Sequence, residues 1–218
     1  MGENIKFFWT IDYVMRLKSD FHVGSGASLF GGNVHALRFD NDGYPSIGDT
    51  EIRGLLRNGG WKLKSWHSSF KDRFIRNFGP RDRNADRAVQ WSFTSANFNP
   101  VFSNASVAGI LGKQSHVRIN SEYCVDNLFS NQKAGPNEYM HDLAGRIYSI
   151  TQADKDDVAF LLACMRVEDC FGHRRTRGYG KVEWLPSKIR RHLPGKKEEK
   201  ISCENLAEWL KPIFENVQ

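Results

Sequence analysis

Two stretches with different periodicities constrain the fold of this chain most. Between Trp9 and Lys18 the apolar residues Ile11, Tyr13, Met15 and Leu17 alternate with the polar Asp12, Arg16 and Lys18, the period of two of a half-buried strand. Farther on, Val158, Leu161, Leu162 and Met165 recur at spacings of three, four and seven, which predicts a helix with one core face. Thr151 is read as its cap, and Asp154, Asp156 and Asp157 fall in its first turn, where the macrodipole favours acid. Another helix is expected to start at the capping residues Asp49-Thr50, turn Ile52, Leu55 and Leu56 inward and Arg53 and Arg57 outward, and stop at Gly59-Gly60. Shorter strands are placed at Val34–Phe39 (closed by the turn Asn41-Asp42-Gly43), Val89–Thr94, His116–Asn120, Leu143–Ile150 and Lys181–Trp184. A strand, a helix and further strands, twice over, predict an α+β chain of ferredoxin-like or RRM-type topology.

One compact domain is expected over residues 1–185. Residues 61–90 interrupt it with basic and aromatic side chains of weak apolar periodicity, from Trp61, Lys62 and Lys64 to Arg81, Arg83 and Arg87, read as an inserted helical subdomain. Residues 186–218 are read as a linker, charged over Pro194–Lys200, and a tail in which Ser202 caps a short helix bearing Leu206, Trp209 and Leu210. With 218 residues the chain can bury a sizeable core, and its formal charge of +6 favours an anionic partner. No apolar run reaches the ~20 residues of a membrane span. Phe7-Phe8-Trp9 is too short for a signal peptide, so a cytoplasmic location without membrane contact is expected. Cys124, Cys164, Cys170 and Cys203 have neither the spacing of a zinc site nor that of a disulfide framework. No metal site is expected from them, and Cys164 is read as a buried structural thiol.

The stretch Gly172-His173-Arg174-Arg175-Thr176-Arg177-Gly178-Tyr179-Gly180-Lys181-Val182 is the most informative for function. Its glycines permit positive-φ turns and close approach to a ligand. The guanidinium forks suit phosphate oxygens, and the Tyr179 ring suits a base or sugar. Taken alone, the same stretch also reads as a hairpin with solvated arginines.

In order along the chain, four segments resemble the RAMP superfamily of CRISPR-associated proteins, and most of all the backbone subunits that line guide RNA in type III effector complexes. Phe21-His22-Val23-Gly24-Ser25-Gly26 is similar to the family's turn after the first strand. Tyr44-Pro45-Ser46-Ile47-Gly48-Asp49-Thr50-Glu51-Ile52-Arg53-Gly54-Leu55-Leu56-Arg57 is similar to its glycine-serine helix start, with Asp49 and Thr50 in place of the usual serines. His116–Phe129 and Gly135–Ile150 are similar to its thumb hairpin and the strand after it. Gly172–Val182 is similar to its glycine-rich loop. The resemblance spans about residues 10–185.

This resemblance implies binding to the crRNA backbone within a type III effector complex for antiviral defence, with complementary target RNA and other Cas subunits as partners. The RNA-binding residues it implies are His22, Arg53, Arg57, Arg174, Arg175, Arg177, Gly178, Tyr179 and Lys181. Arg53 and Arg57 stand four apart on one helix face, a spacing at which both can meet consecutive phosphates. Cleaving relatives carry an aspartate just past a glycine pair. Here Gly31-Gly32-Asn33-Val34-His35 has no carboxylate there, which leaves Asn33, His35 and Asp40 as weak catalytic candidates and a non-cleaving subunit as the expectation. Binding then needs no cofactor, and Mg2+ enters only with cleavage. Two alternatives stay open. One is a RAMP endoribonuclease that processes precursor crRNA or cuts target RNA, with His22, His35, His67, His141 and Tyr179 as acid–base candidates. The other is a stand-alone RRM-type RNA-binding module, although Arg177-Gly178-Tyr179-Gly180 matches only the start of the usual sheet motif.

Overall fold

The computed structural model describes residues 7–29, 34–80, 90–98, 111–119, 125–134, 142–172, 179–202 and 206–215. Its centre is strand β1 (Phe8–Leu17), where Trp9, Ile11, Tyr13, Met15 and Leu17 are buried and every second residue is partly open. The alternation read from the sequence is the alternation of the strand. After β1 come β2 (Gly24–Leu29), β3 (Val34–Leu37), β4 (Ser46–Ile47), α1 (Asp49–Trp66), α2 (Phe70–Phe78), β5 (Trp91–Phe93) and β6 (Ala96–Phe98). The chain continues through β7 (Leu111–Ile119), β8 (Val125–Ala134), β9 (Asp142–Ser149), α3 (Lys155–Val167), β10 (Val182–His192), β11 (Glu199–Ile201) and α4 (Leu206–Glu215).

The main sheet runs β11-β10-β1-β9-β6-β4, with β5 also paired to β9. Its central run β10-β1-β9-β6 is antiparallel throughout. With α1 between β1 and β6 and α3 between β9 and β10, this is the ferredoxin-like arrangement expected of the α+β reading. A smaller sheet, β2-β3-β8-β7, stands beside it. The β7–β8 hairpin in it is the expected thumb, with β7 beginning five residues before the strand placed at His116. β2 forms where the sequence reads only as a turn.

The helices depart from the sequence reading at three places. α1 starts on Gly48 rather than on a side-chain cap, so Asp49 and Thr50 lie within its first turn. It does not stop at Gly59-Gly60 but runs on to Trp66. Those glycines are where α3 crosses: a Cβ on Gly59 would lie 2.5 Å from the Cys164 carbonyl oxygen, and one on Gly60 2.9 Å from the Phe78 ring. Close approach of the α3 backbone to Gly59, and of the Phe78 and Phe74 rings to Gly60, requires them rather than helix termination. In α3 the cap is Asp154 rather than Thr151, its carboxylate accepting from the Asp157 N–H at 2.8 Å.

The segment 61–90 is more regular than its sequence suggests. Its first residues complete α1, and Phe70, Phe74 and Phe78 in α2, spaced by four, are buried. Phe70 and Phe78 pack on Phe160 of α3 at ring separations of 5.9 and 6.5 Å. Burying such a side chain stabilises by about 1.5–3 kcal/mol. Residues 81–89 lie outside the described residues. Beneath α2, Asn77 and Gln90 donate to the buried Asp157 carboxylate, whose pKa burial and the neighbouring Asp154 push above the ordinary value.

β10 does not end at Trp184. It continues to His192 through a bulge opposite Asp12/Tyr13, where Pro186 needs no ladder N–H. Part of the charged stretch read as linker is β11, paired with β10. In the tail, Ile213 of α4 joins the main core and Trp209 meets Trp9 edge-on at 6.0 Å. Among the described residues no helix is long and apolar enough to cross a membrane.

The contrast between two helical glycines gives a test of sign. Nothing lies within 4 Å of a Cβ placed on Gly54, so Gly54→Ala is expected to raise stability by about 0.5–1 kcal/mol. Gly59→Ala is expected to lower it by about 1–3 kcal/mol, despite alanine's better helix propensity. Urea denaturation of both variants checks this; a stabilising Gly59→Ala would mean that α1 and α3 do not cross there.

Candidate nucleic-acid interface

The glycine-rich loop leaves the body at Phe171-Gly172 and returns at Tyr179-Gly180, and both feet rest on the turn that follows β1. Phe171 N–H donates to the Gly180 carbonyl at 3.0 Å, Gly180 N–H to the Asp20 carbonyl at 2.8 Å, and Lys181 N–H to Ser19 Oγ at 2.9 Å. The Phe21 and Phe171 rings meet at 5.3 Å. Gly172 and Gly180 have φ of 75° and 69°, the left-handed region that side chains disfavour. A Cβ on Gly172 would lie 2.5 Å from the His22 carbonyl oxygen, and one on Gly180 would collide with the Phe171 carbonyl. The backbone itself therefore fixes both feet.

Several of the expected site residues gather around those feet. His22 and Tyr179 are half-buried there and Lys181 is exposed. Arg174, Arg175, Arg177 and Gly178 belong to the loop's span, which lies outside the described residues. From the feet, two backbone rungs lead to the start of α1: Arg38 N–H donates to the Val23 carbonyl at 2.9 Å, and Ser46 N–H donates to the Arg38 carbonyl at 3.0 Å. The Arg38 guanidinium sits against Gly48, the N-cap of α1, and pairs with Glu51 at 3.6 Å while remaining 40% exposed. The glycine loop and the N-terminus of α1 thus share one side of the molecule. Oriented N–H groups and the half-exposed Arg38 there can meet a phosphate, although the Asp49 and Glu51 carboxylates share the first turn of α1 and a phosphate would displace Glu51 from Arg38.

Arg38 is the residue that the sequence reading missed. It ends a short strand and belongs to no periodic pattern; its position between turn and helix depends on contacts that are distant in sequence. Its one local signal is its place just before the turn that leads to Gly48.

Arg53 and Arg57 share a helix face, as expected, and both turn towards the C-terminus of α2. Arg57 donates to the Phe78 carbonyl at 2.5 Å and the Pro80 carbonyl at 3.4 Å, and Arg53 to the Phe78 carbonyl at 3.5 Å. Guanidinium groups at a helix C-terminus satisfy carbonyls left without intrahelical partners and oppose the helix dipole. These contacts join α1 to α2.

The open face of the main sheet differs from an RNA platform. Asp12 pairs with Arg146 at 2.5 Å and with Arg190 at 2.8 Å, Arg16 with Asp142 at 3.1 Å, and Lys18 with Glu183 at 2.8 Å. Lys18 holds the Glu183 carboxyl below its ordinary pKa. Cross-strand acids thus occupy cations that would otherwise meet phosphates.

Of the catalytic candidates, Asp40 shapes the turn before β4. Its Oδ1 accepts from the N–H groups of Asp42 and Tyr44 at 3.0 and 2.8 Å. Asn33 lies outside the described residues; His35 is in β3 with its side chain outside them. Among the acid–base candidates, His67 Nδ1 bonds Ser69 Oγ at 2.7 Å at the junction of α1 and α2, and His141 is outside the described residues. Among the described residues no group of three or more His, Cys, Asp or Glu side chains is placed to hold a metal. Cys164 is buried, and burial pushes its thiol pKa up.

A ferredoxin-like sheet whose glycine-hinged loop rests on the turn after the first strand defines a class of α+β proteins. The sequence matches the RAMP superfamily over residues 14–183, and the chain belongs to that superfamily. Among solved structures, one similar chain comes from the cryo-EM structure of the type III-B Cmr-beta bound to cognate target RNA, with a TM-score of 0.62 and 14% identity over 81% of this chain and 96% of that one. Another comes from the type III-B Cmr-beta in its apo state, with a TM-score of 0.58 and 15% identity over the same shares. At this identity the likeness is one of fold. No curated protein matches the sequence.

The contacts of Arg57 lead to a stability prediction. Arg57→Ala should lower unfolding stability by about 1–2 kcal/mol, and Arg57→Lys should recover part of that. Unchanged urea midpoints for both would show that the α2 carbonyls do not depend on it.

Proposed function

We propose that this chain is an RNA-binding subunit of a type III CRISPR effector complex, holding the sugar-phosphate backbone of crRNA beside complementary target RNA and other Cas subunits in defence against foreign nucleic acid. The observation behind this reading is the placement of the glycine loop's feet next to Arg38 and the N-terminus of α1. Membership of the RAMP superfamily supports it, as does the likeness of fold to the Cmr-beta chains, one of them in a structure bound to target RNA. In this reading Arg174, Arg175 and Arg177 project from two fixed hinges onto phosphates, while Tyr179 and Lys181 flank the strand's path. Contacts of that kind carry no sequence preference, as a protein that accepts many guides requires.

The same reading makes the subunit one that binds without cutting. Asp40 supports this, because its carboxylate holds a turn. Binding then requires no cofactor, and magnesium would matter only to a cleaving relative.

Fluorescence anisotropy with a guide-length single-stranded RNA tests the assignment. Replacing Arg174, Arg175 and Arg177 together by Ala should weaken binding. It should also reduce the slope of log K against log salt by about 2, given ~0.7 per phosphate contact for single strands. An unchanged slope would contradict the loop's role. Incubation of the assembled complex with complementary RNA and magnesium should leave this subunit's segment of the target uncut, and cuts abolished by Asp40→Ala would contradict the non-cleaving assignment.

A further inference from the structure

Between α1 and α2 lies an open cavity of about 340 Å3 lined by Gly54, Arg57, Asn58, Trp61 and Phe74. Two of its lining residues, Trp61 and Phe74, belong to the basic and aromatic stretch 61–90 that the proposed guide-binding surface leaves unused. We propose that this cavity is a second RNA contact, which receives one unstacked nucleobase of a single strand; the inference rests on the RNA-binding reading above.

Three features of the cavity point to a nucleobase. Its open aromatic wall is Trp61, which meets the buried Phe74 edge-on at 5.8 Å and has Lys64 over its ring at 4.4 Å; Arg57, held by the Phe78 carbonyl of α2, lies over Phe74 at 5.2 Å. Trp61 stays 43% exposed beside it, although tryptophan gains more than most side chains from burial. A planar π-system with a phosphate attached satisfies rings and cations together.

The second feature is an oriented amide. Asn58 Nδ2 donates to Glu168 Oε2 at 2.6 Å, which fixes the amide and leaves Oδ1 to accept from a guest base's ring N–H or amino group. Glu168 is itself held by Lys62 at 2.9 Å. An apolar side chain from a protein partner would leave that oxygen without a donor.

The third feature is Gly54. The other two glycines of α1 are required by packing against α3 and the α2 phenylalanines, but nothing stands where a Gly54 Cβ would go. A glycine in mid-helix is destabilising, and here it keeps the wall of the cavity open to a ring lying flat against the helix.

The test compares binding of a 12-nucleotide oligo-uridine, an oligo-adenosine and an abasic oligomer of equal length by anisotropy at fixed salt. Trp61→Ala is expected to weaken binding of the two base-bearing RNAs by about five- to one-hundred-fold, the range for one base–aromatic stack. Gly54→Leu, which fills the cavity without removing a contact, should do the same. Both should leave abasic RNA unaffected, Trp61→Phe should retain part of the affinity, and Trp66→Ala, with its exposed ring outside the cavity, should change nothing. Equal losses on abasic RNA would overturn the proposal, as would unaltered RNA binding by Gly54→Leu with loss of a co-purifying protein subunit, which would make the cavity a protein-docking site. If wild-type protein bound no RNA, both this inference and the proposed function would fall; if it bound RNA but the variants bound as well as wild type, only the cavity's role would fall.

Discussion

The placement of the glycine-rich loop depends on a contact between two pieces of backbone: Gly172 against the His22 carbonyl. Neither a side-chain bond nor a salt bridge could substitute for it, because the available space ends where a Cβ would begin. Gly180 makes the matching approach to Phe171 at the loop's other foot. The turn after β1 and the entrance to β10 are thereby locked together, so that a loop rich in arginine stands on a rigid base. Flexible cations pay less entropy on binding when their stems are already fixed.

The same physics recurs in the helical layer. Gly59 and Gly60 allow α1 to reach the Cys164 turn of α3, while the Phe70, Phe74 and Phe78 row of α2 fills the space alongside. Arg53 and Arg57 then close the end of α2 by binding its last carbonyl, that of Phe78. Positive charge thus has three uses in this account: some arginines complete secondary structure, some pair with acids across the sheet, and those of the glycine loop are the ones for which the proposed function requires an anion. Net charge alone does not distinguish these uses.

What the sequence reveals follows from how local each signal is. β1 and the body of α3 are legible because their burial repeats along the chain itself. The glycine loop is legible because its composition is unusual, but its seat on the His22 turn is not, because that contact joins residues 150 apart in sequence. The length of α1 is not, because glycine is a helix stop by local propensity and a crossing point only when a distant helix is known. The sequence reading ends β10 at Trp184, short of Pro186, because only the bulge opposite Asp12 gives that proline a place. Arg38 has no periodic marker, and its importance lies in hydrogen bonds to Val23 and Ser46. The balanced charges on the open sheet face depend on cross-strand register, which composition does not encode.

Ultraviolet cross-linking of 4-thiouridine-substituted guide RNA, followed by peptide mapping, tests the central claim most directly. The account predicts adducts at Tyr179 and in the peptide containing His22, on either side of the hinged loop. Adducts confined to Tyr148 and the open face of the main sheet would contradict it.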